Sequence, residues 1–198
     1  KLRLTNSFKQ VNTFTPITPE TYMKKEDISI RKARKDDAEF IAQVVAMAIG
    51  DEVALQNYCG DKYISVLTDI ACTENTQYSW HNAIIAECDG KVAGAVVGYD
   101  GALLEELRNG TFAVLQNRIG CTPNIANETE AGEYCLDSLA VMPEFRGYGI
   151  GRKLIDTFCR HAFSTGAERV GLIVDTDMWS PLSCLCCSWV KPMFPPLT

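Results

Sequence analysis

The sequence predicts a single α/β domain in which a mixed β-sheet carries helices on both faces. Three observations support this prediction. Runs typical of β-strands alternate along the chain with segments whose apolar residues recur at helical spacing. Asp89-Gly90 separates two strand-like runs, which is a strong signal for a β-hairpin. An apolar run that ends at Val141 is followed by a glycine-rich turn and an amphipathic helix, which together make a strand–turn–helix unit.

The first half of the chain supplies one strand and two helices before the hairpin. Alternating apolar and polar residues over 28–33 predict the strand. Asp36 and Glu39 form a variant of the capping box at the start of a helix whose apolar stripe covers residues 40–49. A second helix is predicted over residues 61–74.

The second half supplies the strand–turn–helix unit. Residues 102–119 predict a helix that is interrupted near Asn109-Gly110, and a polar loop follows it. The remaining elements are a strand over 133–141, a helix over 151–165 and a strand over 169–175.

The glycine-rich turn is suited to binding a phosphate or pyrophosphate. Gly147, Gly149 and Gly151 let the backbone approach a ligand closely and adopt positive φ. The free N–H groups and the dipole of the following helix favour an anion. Arg146 and Arg152 add charge-assisted hydrogen bonds to phosphate oxygens. The turn lacks the spacings of a P-loop and of a dinucleotide fold, so a nucleotide-binding module is the weaker alternative.

Residues 136–155 resemble the acyl-coenzyme A binding motif of the GNAT superfamily of N-acetyltransferases, and the wider resemblance covers residues 28–177. It implies a GNAT-like mixed sheet with helices on both faces, in the order βααββ, insertion, βαβ. The backbone of the strand would pair with the pantetheine arm of acetyl-coenzyme A, and the turn would cradle its pyrophosphate. The cofactor-binding residues implied are Leu139, Val141, Arg146, Gly147, Tyr148, Gly149, Gly151 and Arg152.

The resemblance also identifies the segment between the hairpin and the cofactor strand as an insertion. In the family pattern the cofactor strand follows the hairpin almost directly, so residues 101–132 are a helical insertion. The insertion either shapes the acceptor pocket or covers the edge of the sheet. The two helices after the first strand would form the substrate-side wall.

Acyl transfer to an amine requires a base, because an alkyl ammonium with a pKa of about 10.4 is not a nucleophile. Strand periodicity predicts that Glu133, Cys135, Asp137, Leu139 and Val141 share one face. Asp137 is the first candidate for the base and Glu133 the second. The alternative role for Asp137 is a hydrogen bond to a neighbouring turn. In the resembling family a tyrosine commonly protonates the leaving thiolate, but no tyrosine follows the glycine-rich turn here.

The composition limits the partners. The net charge of −6 argues against nucleic acid and agrees with a cationic amine substrate. No apolar stretch approaches the ~20 residues of a membrane span. Nine scattered cysteines indicate reduced thiols in the cytoplasm. The late cluster Cys184, Cys186 and Cys187 lacks the spacing of a zinc site, so no metal is expected.

Both ends of the chain lie outside the predicted domain, which covers residues 23–177. Residues 1–22 are expected to be a poorly ordered extension. Residues 178–198 depart from the family pattern, which would continue with Asn-x-x-Ala-x-x-Leu-Tyr. Restoring one adenine directly after the codon of Asp177 converts Met-Trp to Asn-Val and permits the alanine and the leucine. We therefore hypothesise that this tail is the product of a one-base deletion.

Together these features predict an acetyl-coenzyme A-dependent N-acetyltransferase that acts on a primary amine of a small molecule or peptide. No nucleic-acid or membrane partner is expected, and a homodimer is left open. The alternative is a non-catalytic acyl-coenzyme A binding protein that has lost turnover.

Overall fold

Strands and helices alternate through residues 28–172, the part of the chain that the computed structural model describes. The predictions for residues 1–27 and 173–198, including the deletion hypothesis, fall outside this part. The elements are β1 Ile28–Lys32, α1 Ala38–Ile49, α2 Glu52–Cys59, α3 Tyr63–Cys72, β2 Ala83–Cys88, β3 Lys91–Asp100, α4 Leu104–Ile119, β4 Glu133–Val141, α5 Ile150–Ser164 and β5 Arg169–Leu172.

The five strands form one mixed sheet in the order β1-β2-β3-β4-β5. Neighbouring strands are antiparallel except for β4 and β5, which are parallel. One apolar core packs α1 and α3 against the sheet, and a second core packs α5 against its other face. This arrangement confirms the predicted fold class. No helix among residues 28–172 is both long enough and apolar enough to cross a membrane.

The hairpin forms where it is predicted, and two details of the first half differ from prediction. Asp89 and Gly90 adopt φ values of 50° and 73°, as a two-residue hairpin turn requires. The carboxylate that accepts from the backbone N–H of Arg34 at 2.7 Å, just before α1, belongs to Asp37 and not to Asp36. The helix α2 was not predicted; its N-cap is Asp51, whose side chain accepts from a backbone N–H of the first turn.

The helix α4 runs unbroken through Gly110, so the predicted interruption near Asn109-Gly110 is wrong. The glycine has a packing role. A Cβ atom at residue 110 would lie 2.0 Å from the carbonyl oxygen of Asn75, which is far closer than any real contact. The absence of a side chain therefore lets α4 pack directly against the segment after α3.

Gly110→Ala is expected to lower the free energy of unfolding by about 1–3 kcal/mol, because the added methyl group forces the two segments apart. Urea denaturation measures the difference. Asn117→Ala, on the exposed side of the same helix, is the matched control and should leave stability unchanged or slightly higher. Equal stability of Gly110→Ala and the original chain would contradict the close packing.

Candidate functional site

The turn between β4 and α5 keeps open space above two glycines. Gly147 and Gly149 adopt φ values of 85° and 78°, in the left-handed region that favours glycine. A Cβ atom at either position would meet nothing within 4 Å. The helix α5 begins directly after Gly149, and its first N–H groups have no partner within the helix. Open space beside free N–H donors fits an anionic phosphate group.

Two exposed arginines flank this turn. Arg146 Nε donates to the carbonyl oxygen of Val141 at 3.1 Å, which ties the arginine to the end of β4. Arg152 lies one helical turn from Asp156, with 3.9 Å between Nε and Oδ2. Both guanidinium groups stay near the surface, where they could contact phosphate oxygens.

Tyr148 and Gly151, the other two residues of the predicted cofactor turn, have different surroundings. Tyr148 is half-buried and packs against the apolar core on the α5 face of the sheet. A Cβ atom at Gly151 would lie 3.7 Å from a methyl group of Val141, which is an ordinary van der Waals contact. The positive φ values thus favour glycine at positions 147 and 149, whereas the backbone conformation of Gly151 does not require glycine.

A β-bulge interrupts β4 at Asp137. Val97 of β3 pairs with Ser138, and the next residue, Gly98, pairs with Leu136. Asp137 is therefore the extra residue and has no partner on β3. Bulges of this kind redirect a side chain, and here the redirected side chain is the predicted base.

The bulge also shows that the predicted five-residue face is wrong. Cys135 belongs to the small apolar cluster around Tyr99, whereas Leu139 and Val141 pack against the core on the α5 side. One extra residue moves every later side chain to the opposite face of the sheet. On its other side β4 pairs with β5 from residue 133 to 136, up to the last described residue of β5.

The carboxyl group of Asp137 lies in a mostly buried polar environment. Ser138 Oγ donates to Oδ1 at 2.8 Å, and the Tyr99 hydroxyl lies 3.4 Å from Oδ2. Burial raises the pKa of Asp137 to about 6, and the negative charge of Glu128 adds to the rise. Near neutral pH the group is therefore largely ionised, yet much more basic than an exposed aspartate.

A second carboxylate, Glu128, reaches the same region from the loop between α4 and β4. Its Oε1 atom accepts from the Tyr99 hydroxyl and from Gln77 Nε2, both at 3.0 Å. Gln77 Nε2 also lies 2.9 Å from the Tyr99 oxygen. Arg108 Nη2 is 3.4 Å from the same Oε1 atom and supplies a positive charge beside Glu128.

Two more tyrosines complete this polar cluster. The side chains of Tyr58 and Tyr78 lie close enough to interact with each other and with Asp137. Burial raises the pKa of both phenols, and the charge of Asp137 contributes to each rise. Both hydroxyl groups are thus neutral near pH 7 and can donate a hydrogen bond.

Glu133, the second candidate for the base, does not join Asp137. Its Oε2 atom accepts from Thr129 Oγ1 at 2.9 Å, and its Oε1 atom is 3.8 Å from Arg169 Nε. Four residues of strand separate it from Asp137, which corresponds to roughly 13 Å. The structure thus places Asp137 beside Ser138, Tyr99 and Glu128, and away from Glu133.

A cavity of about 420 Å³ opens on the side of the molecule formed by the first three helices. Its lining combines residues of α1, α2 and α3 with Met142, which directly follows β4. The sequence assigns helices of this region to the substrate-side wall. Among residues 28–172, no group of three or more His, Cys, Asp or Glu side chains is placed to hold a metal ion.

Sequence reasoning missed most of the polar cluster. Tyr99 ends an ordinary hairpin strand, Glu128 lies in a polar loop, and Tyr58 lies on a helix that was not predicted. No local motif marks these residues. The one available signal was the polar loop itself, which supplies a carboxylate close to the cofactor strand in sequence.

Comparisons with known proteins agree with this geometry. A crystal structure of an acetyltransferase is 27% identical, with a TM-score of 0.66 over 81% of this chain and 87% of its own. An N-acetyltransferase from Staphylococcus aureus Mu50 is 22% identical, with a TM-score of 0.66 over 80% and 88%. The aminoglycoside N-acetyltransferase AAC(6')-Iy in complex with coenzyme A is 13% identical, with a TM-score of 0.51 over 86% and 92%. The last two are similar in fold alone.

A comparison with proteins of curated function finds no significant match. The family model described as "Acetyltransferase (GNAT) family" matches residues 53–180, which is more than half of the chain. The match includes the bulged strand, the glycine-rich turn and the polar cluster around Asp137. The chain therefore belongs to the GNAT acetyltransferase family.

Proposed function

We propose that this protein transfers an acetyl group from acetyl-coenzyme A to a primary amine of a small molecule or peptide. The main observation in support of the proposal is the bulge at Asp137. It directs a carboxyl group with a raised pKa towards a polar cluster beside the cofactor strand. Family membership supports acyl transfer, and this carboxyl group supports an amine as the acceptor.

The cofactor residues are part of the proposal. The first N–H groups of α5, the space above Gly147 and Gly149, and the charges of Arg146 and Arg152 would hold the pyrophosphate. The backbone of β4 from Leu139 would bind the pantetheine arm. The coenzyme supplies the reactive thioester. Similarity in fold to an enzyme solved with coenzyme A supports this arrangement.

Asp137 would act as the base. Its carboxylate accepts a proton from the acceptor ammonium, directly or through water, and the neutral amine then attacks the acetyl carbonyl. The nitrogen loses its second proton as the amide forms, and the departing thiolate takes up one proton. One proton per turnover is released to solvent, which regenerates the Asp137 carboxylate.

The charge of the cluster favours a cationic acceptor. Asp137 and Glu128 bring two carboxylates near Tyr99, and Arg108 supplies a single counter-charge, 3.4 Å from Glu128 Oε1. An alkyl ammonium would offset this local excess of negative charge. The contribution of Glu128 supports the interpretation that residues 101–132 shape the acceptor pocket.

Cytoplasmic location is also part of the proposal, supported by the cysteines. The six cysteines among residues 28–172 form no disulfide bond with one another, as expected in a reducing compartment.

A panel of primary amines, tested with acetyl-coenzyme A and detection of the released thiol, examines the proposal directly. We expect kcat/KM for the best amine to rise with pH through about 6, because Asp137 must be ionised to act as a base. Calorimetric binding of coenzyme A without thiol release for any amine would favour the non-catalytic alternative. Failure to bind coenzyme A would contradict both.

A further inference from the structure

The loop between α4 and β4 is fastened so that Glu128 points into the cluster around Asp137. The buried Arg108 side chain donates to Asn127 Oδ1 at 2.7 Å and to the carbonyl oxygen of Ala126 at 3.1 Å. The same guanidinium group lies 3.4 Å from Glu128 Oε1. A residue of α4 thus fixes the position of Glu128 relative to β3 and β4.

The hydroxyl group of Tyr99 has one proton and two carboxylate neighbours. The distance from its oxygen is 3.0 Å to Glu128 Oε1 and 3.4 Å to Asp137 Oδ2. Gln77 Nε2 uses its two protons on the Tyr99 oxygen and on Glu128 Oε1, at 2.9 and 3.0 Å. Tyr99 therefore accepts from Gln77 and donates its own proton along the shorter contact, to Glu128.

We propose that Glu128 is a positioning residue for the base: it holds the phenolic proton that Asp137 would otherwise receive, and so leaves the Asp137 carboxylate free to accept a proton from the acceptor. This inference rests on the proposed function. It assigns to the α4–β4 loop a part in the proton transfer, in addition to any role in shaping the pocket.

The groups that face Asp137 within residues 28–172 agree with this assignment. Burial raises the pKa of Asp137, the hydrogen bond from Ser138 lowers it, and the charge of Glu128 raises it further. The titratable neighbours from the packed elements are Tyr99 on β3, Cys135 on β4, Tyr58 on α2, Tyr78 before β2 and Glu128 on the loop. Of these, Glu128 is the one carboxyl group, and the others are phenols and a thiol.

The test is a carbon-13 NMR titration of the Asp137 carboxyl group in protein labelled at aspartate, with Asp137→Asn to assign the signal. In Glu128→Gln the charge is lost and the Tyr99 proton can move to Asp137. The titration midpoint should fall by about half a pH unit or more. In Tyr99→Phe the phenolic proton is absent, so adding Glu128→Gln to this variant should lower the midpoint less than Glu128→Gln does alone. Glu130→Gln removes a charge from the same loop, where it pairs with Arg169, and should cause no shift.

The dependence on Tyr99 separates this proposal from a purely structural role and from the effect of charge alone. A loosened site, or the lost charge by itself, would lower the midpoint equally with and without the Tyr99 hydroxyl. Equal falls in the two backgrounds, or no shift in Glu128→Gln, would overturn the proposal. Thermal unfolding checks that each variant is folded. The titration needs no substrate, so an inactive protein whose Glu128→Gln shift depends on Tyr99 would contradict the proposed function and leave the Glu128 assignment standing.

Discussion

Asp137→Asn is expected to lower turnover by about 10²-fold or more, because the amide cannot accept the proton of the acceptor ammonium. The substitution preserves the size of the side chain and an oxygen that can accept from Ser138. The affinity for coenzyme A should change little, since Asp137 lies on β4, away from the glycine-rich turn. Steady-state kinetics and calorimetry measure the two effects separately.

Glu133→Gln provides the comparison, because Glu133 is the other carboxylate that the sequence suggests. Its contacts with Thr129 and Arg169 lie towards β5, so we expect only a small effect on turnover. The rise of kcat/KM through about pH 6 should also vanish in Asp137→Asn and persist in Glu133→Gln. Full activity of Asp137→Asn across the pH range would return Asp137 to a structural role.

Gly149→Val should abolish measurable binding of coenzyme A while the rest of the fold is retained. The side chain would occupy the open space in front of the first N–H groups of α5. A valine at a φ value of 78° is also strained, so the turn itself would shift. Isothermal titration calorimetry with coenzyme A measures the loss.

Gly166→Val is the control that shows whether backbone strain alone, without loss of the binding space, affects coenzyme A binding. Gly166 follows the other end of α5, has a φ value of 94°, and likewise has nothing within 4 Å of a Cβ position. This variant shares the strain but lies away from the turn, and it should bind coenzyme A normally. Unchanged affinity in Gly149→Val would contradict the assignment of the turn to the cofactor.

The fold and the backbone geometry of the glycine-rich turn could be predicted because their signals are local. The Asp89-Gly90 hairpin and the series Arg146 to Arg152 each occupy a few consecutive residues, and neighbouring residues determine their backbone geometry. Gly110 shows the limit of such reasoning. Glycine suggests a break in a helix, but whether it breaks or permits close packing depends on Asn75, which is remote in sequence.

The surroundings of Asp137 could not be predicted for the same reason. Asp137 became a candidate because it lies on the strand before the glycine-rich turn. A bulge, however, depends on the register between two strands and cannot be recognised in the alternation of residues along one of them. Tyr99 and Glu128 reach Asp137 from a different strand and from a loop. Periodicity within β4 therefore favoured Glu133 as the second carboxylate, whereas tertiary packing brings in Glu128.

The buried carboxyl group of Asp137 also makes the stability of the fold depend on pH, in the direction opposite to that of most carboxylates. Most carboxylates bind protons less readily in the folded state, so they stabilise a protein as pH rises. Asp137 does the opposite, because its pKa increases from 3.8 to about 6 on folding, a difference of about 3 kcal/mol. Its favourable contribution is complete below pH 3.8 and disappears as pH rises through 6. The conditions in which Asp137 can act as a base are therefore those in which it weakens the fold.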